Sequence, residues 1–187
     1  QMIEEAEKLS REDLAGMQMD VLSLRAVEAV PGLLPLLADS PDPRVRRAVA
    51  YLESWDGRME PDRVAASIFE LFFGRWSEAI AAERFPPDAA PLMAGAMGGL
   101  ALELLITGDE HGWLISGSSQ DVALAAFSRA LDELEERLGP DMARWAWGRI
   151  HTIKLDHHLS GIGDLSELLN RGGQPVGGNG TTVCNTG

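Results

Sequence analysis

The chain has 187 residues, with 16 Lys and Arg against 29 Asp and Glu, a formal net charge of −13. A surface of that sign repels polyanions and anionic lipid, so nucleic-acid binding and membrane docking are not expected. Hydrophobic residues make up 45%, enough for about one packed domain, and a single cysteine excludes a disulfide framework or a multi-cysteine zinc site.

Met2 to Leu9 reads as the tail of a Glu-rich helix. Ser10 stands three residues before Asp13, an acidic capping box that predicts a helix start. Leu14, Met17, Val21, Leu24 and Val27 extend that helix as one apolar stripe, and Pro31 and Pro35 kink or restart it. Asp39 to Pro43 is a loop, with Asp42 as cap and Pro43 at the first position of the next helix. That helix runs to about Trp55 and ends at Asp56-Gly57.

Asp62 to Arg84 is a long amphipathic helix with Val64, Ile68, Leu71, Phe72, Trp76 and Ile80 on one side. Phe85-Pro86-Pro87 stops it. Pro91 to Ile106 is apolar nearly all round, which predicts a buried helix, and is shorter than the ~20 residues a membrane span needs. Thr107 to Ser119 is a loop holding Trp113. Ser118 or Ser119 caps a helix to Leu138, with Val122, Ala126, Ala130, Leu134 and Leu138 buried. Its Asp132, Glu133, Glu135 and Glu136 face is expected to be solvated. Gly139-Pro140 ends it, and Asp141 begins a short helix through Trp147.

After Gly148 the pattern changes. Alternation from Ile150 to Asp156 permits a short strand, a glycine-rich loop spans Gly172 to Gly180, and Thr181-Thr182-Val183 reads as a strand start. The expected fold class is mainly α: a multi-helix region over 1–148 and a loop and strand segment over 149–187.

Few residues offer chemistry. His151, His157 and His158 cluster in sequence, but neighbouring strand residues point to opposite faces and no HExxH spacing occurs, so structural roles are expected. The 172–180 loop lacks a Lys-Ser or Lys-Thr ending and a following helix, so it reads as a tight structural turn rather than a phosphate cradle. No Ser lies in a GxSxG elbow. Cys184 has no nearby base and is expected to be a buried, inert thiol. Gly95 and Gly99 form a small-xxx-small pair that predicts close helix packing. No catalytic, cofactor-binding or metal-ligating residue is assigned.

Four separated motifs add a resemblance. Ser10-Arg11-Glu12-Asp13-Leu14 with Met17-Gln18-Met19-Asp20-Val21 is similar to a helix start in the penicillin acylase family of N-terminal nucleophile hydrolases. Leu52 with Trp55-Asp56-Gly57 looks like that family's following helix end. Trp145-Ala146-Trp147-Gly148, with His151 and then His158-Leu159, resembles its W-x-W-G-x-x-H…H-x-L segment. Gln174-Pro175-Val176-Gly177-Gly178-Asn179-Gly180-Thr181-Thr182-Val183 resembles its Gly-rich turn into a Thr-Val strand, although Cys184 stands where the family often has Asn.

The resemblance implies a precursor that cleaves itself into α and β chains. The new N-terminal residue of the β chain, usually Ser, then attacks an amide carbonyl with its own α-amine as base. An Asn side chain and backbone N–H groups hold the oxyanion. The matching region is the helical middle of the β chain, returning toward an αββα sandwich. The family's nucleophile and oxyanion Asn have no counterpart here, and its calcium ligands fall outside the segment, so no cofactor is expected.

The implied partners are the rest of the acylase α and β chains and, in the parent, a small amide substrate. Family members are often periplasmic or secreted; no signal-peptide pattern opens this chain, and Gln1 and Gly187 read as cut points. Two other classes fit the residues. One is a stand-alone acidic helical interaction module with an exposed apolar face. The other is a histidine metal enzyme.

Overall fold

The computed structural model describes residues 3, 8–161 and 165–185. Most of the expected helix over 2–9 lies outside the described residues. Those described are mainly helical: α1 Arg11–Gln18, α2 Leu24–Leu37, α3 Pro43–Glu53, α4 Val64–Ala82, α5 Ala90–Met93, α6 Gly98–Thr107, α7 Ser119–Leu138 and α8 Leu165–Leu169. Two 3-10 turns, Met142–Arg144 and Trp147–Arg149, follow α7, and β1 Thr152–Leu155 pairs antiparallel with β2 Arg171–Pro175. No helix among the described residues is long and apolar enough to cross a membrane.

Local chemistry sets the helix starts. Ser10 and Ser118 each accept from the backbone N–H three residues on, while Asp13 and Asp121 accept from the serine backbone. Asp42 accepts from Arg44 N at 2.7 Å, with Pro43 at the first position. Each such cap is worth about 0.5–2 kcal/mol.

The core is organised around α4. Ile68, Phe69, Phe72, Trp76 and Ile80 are fully buried against Ala126, Phe127, Ala130 and Leu134 of α7. Burying each large side chain contributes about 1.5–3 kcal/mol. α2 crosses α6 so closely that a Cβ at Gly32 would lie 1.8 Å from the Leu105 carbonyl oxygen. All five tryptophans send their indole N–H to a backbone carbonyl: Trp55 to Arg58, Trp76 to Ala101, Trp113 to Ile80, Trp145 to Gly139 and Trp147 to Gly178. Trp76, Trp145 and Trp147 are buried and Trp55 and Trp113 partly buried, none with an orphaned donor.

Several expectations need correction. The stripe from Leu14 to Val27 is not one helix. The chain breaks at Asp20–Ser23, where Ser23 caps α2 and Leu22 bridges Arg58, leaving Leu14 49% and Leu24 62% exposed. Pro31 and Pro35 do not restart α2, which runs through both because Ala29, Val30, Leu33 and Leu37 anchor it in the core. The apolar run from Pro91 is two helices rather than one, and it is not buried all round: Leu92 is 83% exposed. Gly95 and Gly99 touch nothing where a Cβ would stand, so the close packing expected of them is made by Gly32 instead.

The acidic face of α7 is only partly solvated. Glu133 pairs with Arg75 of α4 and Arg137, while Asp132 and Glu135 hold Arg44 of α3. Part of the 172–180 loop is strand β2, because the short β1 needs a partner. Thr181 to Val183 form a turn rather than a strand, since the Asn179 side chain accepts the Thr181 N–H and redirects the backbone.

Candidate functional site

Parts of the four sequence motifs, far apart along the chain, meet at one place: Asp20-Val21, Trp55 with Gly57, Trp147-Gly148 with His151, and the run from Val176 to Cys184. Its centre is the extended segment 57–61, between α3 and α4. On one side Ser23 N donates to Gly57 O at 3.0 Å, and Met59 N donates to Val21 O at 2.9 Å. On the other side Gly178 N donates to Met59 O at 2.8 Å, and Gly148 N donates to Pro61 O at 2.7 Å. Cys184 N closes the ring by donating to Asp20 O at 2.8 Å. The result is a backbone clasp that ties the glycine-rich run to the helices.

Side chains fill the clasp. Val21, Met59, Ala66, Trp147 and Cys184 form a small core, with Trp55 and Ile150 packed on it. The Trp147 indole donates to Gly178 O at 3.0 Å, and its ring stacks on His151 with centroids 4.6 Å apart. His151 Nδ1 lies 3.1 Å from Val176 O. A carbonyl only accepts, so Nδ1 carries the proton. Asp20 accepts from Leu22 N and from Arg58, each at 3.3 Å.

Glycine is required at Gly178. Its φ is +77°, and a Cβ would stand 1.9 Å from Cys184 O. The adjacent Asn179 is 3% exposed. Its Nδ2 donates to Glu70 of α4 at 2.7 Å, and its Oδ1 accepts from Thr181 N at 2.9 Å and Thr181 Oγ1 at 2.8 Å. Thr182 Oγ1 accepts from Asn179 N and sits within reach of the Asn179 and Cys184 carbonyls.

The sequence marks Trp147, His151 and the glycine run, but not their partners. Glu70, Met59, Pro61 and Ser23 carry no local signature, because each acts through contacts far away in sequence. His157 is apart from this site: its backbone N–H donates to Asn170 and its Nδ1 accepts from Leu159 N. Cys184 is buried and free. Among the described residues no group of three or more His, Cys, Asp or Glu is placed to hold a metal.

One groove, of about 420 Å³, borders the clasp at Trp55, Asp56 and Gly57, and its walls are mostly apolar residues of α2. A groove of about 520 Å³ runs between the end of α4, residues 115–116 and α7. Of its two carboxylates, Asp121 belongs to the Ser118 capping box, and Glu83 accepts from Ile115 N at 2.8 Å, Ser116 N at 3.0 Å and the Ser116 hydroxyl. Burial raises its pKa, but these donors outweigh burial and hold it below the ordinary value. Such a carboxylate is occupied in holding a loop and is a poor general base near neutral pH. The clasp is held by backbone hydrogen bonds around a small apolar core that includes Cys184.

The family model for penicillin amidase matches residues 1–187. The acyl-homoserine lactone acylase QuiP of Pseudomonas aeruginosa is 24% identical over 194 residues, covering 87% of this chain and 23% of that protein. QuiP of Pseudomonas syringae is 26% identical over 75% of this chain. The penicillin acylase 2 proenzyme of Pseudomonas sp. strain SE83 is 31% identical over 73% of this chain and 18% of its own length. The chain thus spans about a fifth of the length of these relatives.

Proposed function

This chain belongs to the penicillin amidase family, and from that premise we propose that it is the helical middle of the β chain of an amide-hydrolysing acylase. In the parent an N-terminal nucleophile hydrolyses a carboxamide or N-acyl bond. The relatives' names offer acyl-homoserine lactones and penicillins as the substrate classes to try first. This segment contributes structure rather than reacting atoms. Residues 1–148 supply a helical wall of the substrate cleft, and residues 149–187 return toward the catalytic sandwich.

The observation that carries the reading is the clasp. Parts of the four family-like motifs converge on backbone hydrogen bonds and a small apolar core, which supports a structural role. In such a parent, the clasp fixes where the chain leaves the helices on its way to the sheets. A second structural device supports this role: Arg75, Glu133 and Arg137 cross-link α4 and α7.

The test is a chromogenic phenylacetyl or long-chain acyl amide incubated with the purified 187-residue chain and, in parallel, with the full reading frame that contains it. Turnover by the full protein and none by the chain is expected. Sustained turnover by the chain alone would sink the proposal.

A further inference from the structure

The chain has three asparagines, Asn170, Asn179 and Asn185, and only Asn179 is followed by glycine. An Asn-Gly pair is the most reactive setting for spontaneous deamidation, because glycine leaves its backbone nitrogen unhindered. The Gly180 nitrogen attacks the Asn179 side-chain carbonyl carbon. The bond to Nδ2 breaks, and ammonia leaves with the proton that Gly180 gives up. Water then opens the succinimide to aspartate or isoaspartate.

The folded clasp opposes each part of that path. The leaving nitrogen donates to Glu70 at 2.7 Å, and Oδ1 is held by two donors from Thr181. Asn179 is 3% exposed, so water does not reach it freely. Conversion therefore needs the clasp to open. Afterwards the donor at Nδ2 is gone, and an oxygen anion stands where it faced the Glu70 carboxylate. Two like charges at hydrogen-bond distance repel, so the converted segment does not settle back as before.

We infer that Asn179-Gly180 is a self-modification site gated by opening of the clasp, and that its conversion leaves a carboxylate against Glu70 that keeps the clasp open. The site acts as a one-way timer on the joint between the helices and the glycine-rich run. It does not depend on which amide the parent hydrolyses.

The experiment is peptide mapping by mass spectrometry, with isoaspartate detection, of the chain aged in mildly alkaline buffer with and without guanidinium. Asn170 and Asn185 serve as internal references. Asn179 in the folded chain is expected to convert at least about tenfold more slowly than in denaturant, since a hydrogen bond to a charged group shifts an opening equilibrium by about a decade or more.

Glu70→Ala should narrow that gap. Gly180→Ala should suppress conversion in denaturant while leaving the fold intact, because a Cβ there meets nothing within 4 Å. Asn179→Asp should lower the unfolding midpoint, and adding Glu70→Gln should restore part of the loss. Equal conversion rates with and without denaturant, or an Asn179→Asp chain as stable as the unsubstituted one, would overturn the inference.

Discussion

Trp147→Phe probes the clasp at the point where most of its contacts meet. The indole N–H satisfies the Gly178 carbonyl at 3.0 Å inside a buried segment. Phenylalanine keeps an aromatic ring but removes that donor, and leaving a buried acceptor unpaired costs about 1–3 kcal/mol. The smaller ring also gives up part of the stack on His151, worth about 0.5–1 kcal/mol, and leaves a small void beside Met59 and Ala66.

Together these give about 2–4 kcal/mol, or a fall in melting temperature of roughly 5–15 °C for a domain of this size. Urea unfolding followed by helical circular dichroism measures it, with an unchanged denaturant slope showing that both end states are the same. A loss below about 0.5 kcal/mol, the range of an ordinary surface change, would refute the claim that the indole bond holds the clasp.

Other contacts make their own predictions. Gly32→Ala drives a methyl into the Leu105 carbonyl and should destabilise by about 1–3 kcal/mol or more, whereas Gly95→Ala meets open space and should be neutral or slightly stabilising; thermal melts of the two variants compare them directly. Glu133→Ala removes the shared partner of Arg75 and Arg137 and should cost about 1 kcal/mol, falling with added salt, as denaturation at two ionic strengths would show. Acid should lower stability modestly through exposed carboxylates that accept backbone or serine hydrogen bonds. The Arg44 backbone N–H lowers the pKa of Asp42, and serine hydroxyls, then serine N–H groups, lower Asp13 and Asp121. The Leu114 and Trp113 N–H groups lower Asp109. A carboxyl whose folded pKa lies below its unfolded one stabilises fully above the unfolded value, about 4 for Asp, and loses that contribution as pH falls through the folded value. Melting temperature should thus hold through neutral pH and decline modestly below about pH 4, and a flat profile to lower pH would count against these hydrogen bonds.

What the sequence reveals depends on how local the cause is. The caps at Ser10, Asp42 and Ser118 are legible because donor and acceptor lie within three residues. The break at Asp20–Ser23 is not: Val21, Leu24 and Val27 keep a helical spacing, and only the distant strand-like segment at Met59 pulls the backbone out of the helix. The acidic face of α7 misleads for the same reason, since Arg44 and Arg75 arrive from other helices.

The motifs around Trp55, Trp147 and Gly178 mark the family, yet the clasp they build depends on Glu70, Met59 and Pro61, which carry no motif. Thr181 to Val183 have strand-forming residues, but Asn179 imposes a turn there through a hydrogen bond that composition does not announce.

That this segment serves an acylase by structure and not by chemistry is tested most directly by active-site-titrated kinetics of the full reading frame carrying Trp147→Phe. A lower yield of mature enzyme, with kcat per titrated site unchanged, is expected. An unchanged yield with a large fall in kcat would overturn the structural role, because Trp147 would then act at the reacting centre.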